Sequence, residues 1–307
     1  MEEKIIYKIP AIYRDDFRIR AFSFGSGEKS ACIVGSMGGN ENQQLFACSM
    51  LVKELKRLER EGRIQKGKEV LVVPCLNPYS INIKKRFWPI DNTDINRMFP
   101  GYEKGETTQR IAAGVFEQIK GYSYGIQFAS FYRPGTFLPQ VRIMKTGFEN
   151  VELAKQFSLP YVVLHTPRPF DTTTLNYNWQ IWETEAFSIY TTNTSRINKE
   201  SAKEAVTAIL MFLSKQGIIR YEEGKEQVET VVESAKMASV RTTKAGFFES
   251  AVAVGDKVKK GQVVACVIDP YVGEQKEALC SPIEGTVAFL HEEAMTYSNA
   301  AVLKIIP

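Results

Sequence analysis

The chain has 307 residues, of which 44% are hydrophobic, with five cysteines and 39 Lys and Arg against 35 Asp and Glu. A net charge of +4, with no basic or acidic run, argues against nucleic acid or a membrane surface as partner, and no apolar stretch reaches membrane-spanning length. The opening MEEKIIYKIP lacks the apolar core of a secretory signal and the scattered cysteines form no CxxC, so a cytoplasmic protein with reduced thiols is expected.

From about residue 30 the sequence alternates short β-rich runs with amphipathic helical ones. ACIVG at 31–35 predicts a buried strand. Leu45, Cys48, Leu51, Val52, Leu55 and Leu58 then recur at spacings of three and four, which puts them on one helical face, and Gly62 ends the run. EVLVVP at 69–74 predicts the next strand. TTQRIAAGVFEQIK at 107–120 predicts a helix with Thr107 or Thr108 as N-cap and Ile111, Val115, Phe116 and Ile119 facing inward. Further strands are predicted at 125–131, 160–165 and 187–192, and a long helix at 201–217, closed by Gly217. The alternation predicts an α/β fold with a mixed, mostly parallel sheet flanked by helices. Such sheets bind ligands at the carboxyl ends of their strands, where Gly38 to Glu41, Asn77-Pro78 and Ala129-Ser130 fall.

After about residue 225 the pattern changes to short strands separated by Gly-Asp, Lys-Gly and Glu-Gly turns. Two domains are therefore expected, 1–225 and a small all-β module at 226–307. The segments GDKVKKGQ and SPIEGTV resemble the barrel-sandwich hybrid of biotinyl and lipoyl carrier domains. Lys276 is the nearby lysine and lacks the flanking carrier motif, so the module reads as structural.

The block RFWPIDNTDINRMFPG, from Arg86 to Gly101, concentrates charge around a turn. Taken alone, Pro89, Asp91 and Asn92 shape that turn and Asp94 pairs with Arg97; alternatively, Asn96 and Arg97 present a donor fork to a carboxylate. The chain has only two histidines, His165 and His291, neither in an HxxE or HxxH spacing, so it is poorly supplied for a catalytic zinc with three protein ligands.

In order, GSMGGNE, VPCLNP, the block from Arg86 to Gly101, the GETTQR helix and the strand near 126 resemble the succinylglutamate desuccinylase and aspartoacylase family, within the metallocarboxypeptidase-like superfamily. The resemblance covers nearly the whole chain. It implies a zinc-carboxypeptidase-like fold and a zinc-dependent hydrolase acting on the C–N amide bond of acylated amino acids. Asn96 and Arg97 match the pair that holds the substrate carboxylate, and Arg86 matches the arginine facing the developing oxyanion. The first zinc ligand, a histidine, falls on Gly38; the second falls on Glu41 and is kept. The third, also a histidine, falls on Ala129, the aspartate near it on Gln127, and the general-base glutamate on Tyr190, whose phenol is a poor proton acceptor near neutrality.

The resemblance therefore implies a degenerate deacylase without zinc or hydrolysis that keeps a carboxylate-binding cleft for an acyl amino acid or peptide end. No cofactor is expected, and a homo-oligomer is possible. The alternative is a working metal-dependent hydrolase with a rebuilt zinc site that uses Glu41 and His165. At its strand end, His165 reads first as an ordinary hydrogen-bonded residue. Phe128, Phe131, Tyr132, Tyr177, Trp179 and Trp182 are candidate pocket aromatics, and Arg133, Arg142 and Arg168 candidate anion partners, with packing or solvated surface the default for each.

Overall fold

The computed structural model describes residues 1–12, 15–224 and 230–307 and divides into two compact units. The larger comprises Met1–Ser130 and Pro139–Thr230, the smaller Phe131–Leu138 and Val231–Pro307. The boundary expected at 225/226 lies outside the described residues; the division observed falls inside β10 (Thr230–Glu233).

Strands β1 (Glu2–Ile9), β2 (Phe17–Gly25), β3 (Gly27–Ser36), β4 (Gly67–Cys75) and β5 (Tyr124–Ala129) open the larger unit. After β6 (Gly135–Phe137), which belongs to the smaller unit, come β7 (Gln140–Met144), β8 (Tyr161–His165) and β9 (Glu185–Tyr190). Their order across the sheet is β1-β2-β4-β3-β5-β9-β7-β8. The pairs β4/β3, β3/β5, β5/β9 and β7/β8 are parallel, so β3, β4, β5 and β9 end along one edge. β7 runs antiparallel to β9, which turns both β7 and β8 the other way.

The helices are α1 (Asn42–Arg60), α2 (Pro78–Ile83), α3 (Thr107–Ile119), α4 (Val151–Lys155), α5 (Leu175–Ile181) and α6 (Lys199–Lys215). Central strands are covered on both faces, which is why β3 reads as a continuous apolar run. On one face Ile33, Ile126, Phe187 and Ile189 pack with Cys48, Leu51, Leu55 and Leu58 of α1 and with Ile209, Phe212 and Leu213 of α6. On the other, Cys32, Val34, Leu71 and Val73 meet Ile111, Val115 and Phe116 of α3 and Trp179 of α5. Burial pushes the Cys32 and Cys48 thiols well above their ordinary range and Cys75 up to about 12, so all three act as small apolar groups.

Two helix starts differ from expectation. Glu106 rather than Thr107 or Thr108 caps α3, with the Gln109 side chain accepting from the Glu106 N–H at 3.0 Å. The last helix begins at Lys199 because Asn198 accepts the Ser201 N–H at 3.0 Å.

The smaller unit adds β11 (Ala238–Arg241), β12 (Gly246–Ser250), β13 (Lys257–Val258), β14 (Val263–Ile268), β15 (Gln275–Cys280), β16 (Gly285–His291), β17 (Met295–Thr296) and β18 (Ala301–Ile306). They form two antiparallel sheets around Val240, Val264, Val267, Val287, Leu303 and Ile305. β6 pairs with β16, Gly135 opposite His291, an addition to this unit that the composition change near 225 does not signal. Lys276 lies on β15 with its Nζ 3.3 Å from Asp269, and Tyr271 and Val272 are the large hydrophobic residues exposed between β14 and β15.

Candidate functional site

The turn from β3 into α1 is built around the Glu41 carboxylate. Glu41 stands at the N-cap of α1 but makes no side-chain cap bond. Its Oε2 instead accepts the Met37 and Gly38 N–H groups at 2.7 and 2.9 Å, so the carboxylate is held by backbone donors at a helix start, where negative charge is favoured. The Gly39 N–H donates to Lys85 O at 2.9 Å, and a Cβ on Gly39 would stand 2.0 Å from the Ser80 carbonyl group. Glycine is therefore required there by the close approach of the 80–85 backbone.

Arg86 enters from that backbone. Its Nη1 donates to Ser130 Oγ at 2.9 Å and lies 3.4 Å from Glu41 Oε1, while Ser130 Oγ donates to the same Glu41 oxygen. Arg86 Nε lies 3.7 Å from Asp94 Oδ2, and Asp94 Oδ1 accepts the Asn96 N–H at 3.0 Å. The Glu41, Asp94 and Arg86 side chains are 5%, 9% and 12% exposed, so this is a buried charge cluster. The arginine expected to face an oxyanion is turned onto Glu41.

The residues present do not fit a catalytic zinc. Both Glu41 oxygens are engaged by donors. A Cβ added to Gly38 would lie 2.9 Å from Arg86 O and 3.1 Å from Arg86 Cγ, so Arg86 fills the space a side chain at Gly38 would enter. Ala129 ends β5 opposite Tyr190 and contributes only its carbonyl, which accepts from Gln44 Nε2 at 3.2 Å. Gln127 points to Met37, its Nε2 3.7 Å from the Sδ. Among the described residues no group of three His, Cys, Asp or Glu is placed to hold a metal ion.

Asn96 and Arg97 stand on a second polar cluster, joined to the first by the Asn96 N–H on Asp94. Arg97 Nη1 donates to Phe170 O at 2.6 Å and Asp171 Oδ1 at 3.1 Å, and its guanidinium packs 5.3 Å from the Phe170 ring centre. Asn96 Oδ1 accepts the Leu175 N–H at 3.1 Å. A quarter of the Arg97 side chain is exposed. Asp171 also accepts the Arg168 N–H at 2.9 Å and lies 3.1 Å from His165 Nε2. Burial alone would raise the Asp171 carboxyl, but the Arg168 N–H, the His165 ring and the Arg97 fork outweigh it and hold it below the ordinary range.

This placement corrects only the alternative reading, in which His165 substitutes as a ligand beside Glu41; the hydrogen-bonded residue read first at that strand end is what stands there. His165 pairs in register with Met144, whereas Gln140, at the other end of β7, pairs with Tyr190. Four residues of strand put His165 about 13 Å down the sheet from Tyr190, and three strand spacings put it about 14 Å across from Ala129. The ring is neutral: burial and the nearby Arg142 charge lower its pKa to about 4, so Nε2 donates to Asp171.

A pH dependence follows. Unfolded, His165 titrates near 6.5, so below that pH the unfolded chain takes up a proton that the fold refuses until about pH 4. Stability present above 6.5 is lost through this window by up to about 1.4 kcal/mol per pH unit. Asp171, with its pKa depressed, withdraws stability in the same direction at still lower pH. Melting curves from pH 7 to 4 should fall more steeply for the native chain than for His165→Gln, and equal slopes would refute the assignment.

Of the candidate aromatics, Phe128 and Trp179 belong to the apolar core, and Phe131 stacks on Phe137 within the smaller unit. Tyr132 is exposed, and Trp182 packs edge-on against Phe116. Tyr177 is half-buried. Arg142 lies over the Tyr190 ring, its Cζ 5.9 Å from the centre, and Arg168 over Phe170 at 5.8 Å. Arg133 donates to Ala301 O and His291 meets Met295 O, both within the smaller unit. Sequence reasoning placed Ser130 at a cleft strand end without giving its hydroxyl a partner, and it missed Asp171; the signal available was an acid six residues after His165.

The model of the succinylglutamate desuccinylase/aspartoacylase catalytic domain matches residues 28–215. Over 263 residues the chain is 26% identical to an N-alpha-acetyl-L-2,4-diaminobutyric acid deacetylase of Halomonas elongata, covering 78% of this chain and 70% of that one. A succinylglutamate desuccinylase from Silicibacter sp. TM1040 superposes with a TM-score of 0.83 at 20% identity, covering 100% of this chain and 95% of the other. The product-bound ectoine utilization protein of Ruegeria pomeroyi superposes with a TM-score of 0.79 at 20% identity, over 97% and 93%. At these identities the superpositions establish the fold. No helix among the described residues is long and apolar enough to cross a membrane.

Proposed function

The chain belongs to the succinylglutamate desuccinylase/aspartoacylase family, and we propose that it is a non-hydrolytic member that binds a small carboxylate, an acylated amino acid or a peptide end, through Asn96 and Arg97. One observation carries this reading: the Arg86 guanidinium and the Ser130 hydroxyl occupy the Glu41 oxygen that a metal would need. Deacylation in this family's manner needs a metal to lower the pKa of water and polarise the amide. Arg97 keeps what carboxylate recognition requires, a planar fork, fixed by Asp171 on one side and the Phe170 ring on another, with part of its surface in solvent.

Calorimetric titration with N-acetyl and N-succinyl amino acids tests this. Arg97→Ala should weaken binding about 10- to 100-fold, the worth of a charge-assisted hydrogen-bonded pair, and unchanged affinity would remove the proposed role. The names of the relatives favour a second reading, a working deacylase with a rebuilt site. Stoichiometric zinc in purified protein, with chelator-sensitive hydrolysis of an acetyl amino acid, would establish that reading and overturn the first.

A further inference from the structure

We propose that Arg142 forms a second anion-binding position in the cleft, on the sheet face level with Ser188, and that it takes a carboxylate or similar oxyanion apart from the group assigned to Arg97. The inference rests on the reading of the cleft as a carboxylate site and adds a second negative charge to what it binds.

Three observations carry it. The first is charge. Arg86 is matched by Glu41 and Asp94, and Arg97 by Asp171. Arg142 makes no hydrogen bond or ion pair with any described residue and rests on the Tyr190 ring, its Cζ 5.9 Å from the centre. A half-buried guanidinium without a counter-charge favours a bound anion. The second is access. Of the Arg142 nitrogens only Nε is fully buried, so the two terminal ones, which also bond nothing in the protein, reach solvent. They offer the planar pair of donors that a carboxylate accepts in two parallel bonds. The third is placement. Arg142 pairs with Ser188 and Ser188 with Gln127, so these three share the face that carries Ala129 and Tyr190 two residues nearer the cleft edge. Helix α5 descends over this face from Leu175, whose N–H meets Asn96, to Gln180, whose Nε2 donates to Met144 O at 3.2 Å. Asn176 lies one helical turn above Gln180, as Arg142 lies one pleat repeat above Met144. Both polar atoms of the Asn176 amide are buried with no hydrogen-bond partner, although buried amides are ordinarily bonded. A neutral donor therefore stands at the level of the unmatched guanidinium.

The test is calorimetric titration with N-acetylglutamate and its uncharged isostere N-acetylglutamine. The native chain should bind the glutamate about 10-fold or more tightly, the worth of a charge-assisted hydrogen bond, and Arg142→Met should bring the two within about 2-fold by loss of affinity for the glutamate. Arg142→Lys keeps the charge without the fork and should show an intermediate preference; it replaces the methionine variant if that one does not fold. No preference in the native chain, or an undiminished one in these variants, overturns the proposal. So does a lower melting temperature with the preference intact, the mark of a purely structural arginine. Added acetate at constant ionic strength distinguishes the source of the anion: competition with N-acetylglutamate shows that a free carboxylate fills the site, and its absence that the ligand must bear the charge. Arg97→Ala should weaken both ligands alike; if both affinities stay native while the preference still responds to Arg142, the role of Arg97 fails alone. If neither ligand binds, the carboxylate reading of Arg97 falls and sulfate decides for Arg142. Against sodium chloride of equal ionic strength, sulfate should raise the melting temperature of the native chain more than that of Arg142→Met, and an equal effect overturns the proposal.

Discussion

Glu41→Ala lowers the melting temperature by roughly 10 °C, as expected for about 3–5 kcal/mol lost from a unit of this size. The carboxylate satisfies four donors at once: the Met37 and Gly38 N–H groups, the Ser130 hydroxyl and Arg86. Alanine leaves all four facing a gap from which water is largely excluded, since the Glu41 side chain is only 5% exposed. A simple metal ligand would behave differently. Its loss would alter the response to zinc or chelator and leave the metal-free protein nearly as stable as before. Glu41→Gln separates the two further, because the amide keeps one acceptor for the backbone pair but offers Arg86 no charge, so about half of the loss should return. A melt within about 2 °C of the native chain for Glu41→Ala would show that the turn does not depend on its carboxylate.

Much of the larger unit was legible because its strands are buried on both faces. Runs such as ACIVG and EVLVVP have few alternatives, and the three-and-four spacing from Leu45 to Leu58 allows only one helical face inward. The missing histidine at Gly38 was legible too. What stands in its place was not, since a sequence pattern gives no hint that the stem of Arg86 closes over the glycine. The same limit applies to His165. Its run PYVVLH announces a strand end, but which edge that end joins depends on β7 running antiparallel to β9, a choice made by sheet pairing rather than local composition. β6 is the extreme case: three residues between two segments of the larger unit pair with β16 far along the chain.

Asp171→Ala should cost about 3 kcal/mol and, in the same protein, weaken carboxylate binding nearly as much as Arg97→Ala. The stability loss is set below that of Glu41→Ala because Arg97 is a quarter exposed and regains water when its partner goes. Its effect on binding comes through geometry. Asp171 holds Arg97 Nη1 at 3.1 Å while also accepting the Arg168 N–H and the His165 ring, so one carboxylate fixes the loop, the ring and the fork together. Without it the guanidinium must be ordered at the moment of binding, and that entropy is subtracted from affinity. Asp171→Asn separates charge from position: the amide oxygen accepts one of these donors and loses the ion pair, so it should keep more stability than alanine while still weakening binding. The two titrations also decide what Arg97 is for. If Asp171→Ala destabilises the protein and leaves carboxylate affinity at the native value, the Arg97–Asp171 pair is a structural brace for the 168–175 loop, and the ligand fork must be sought elsewhere in the cleft.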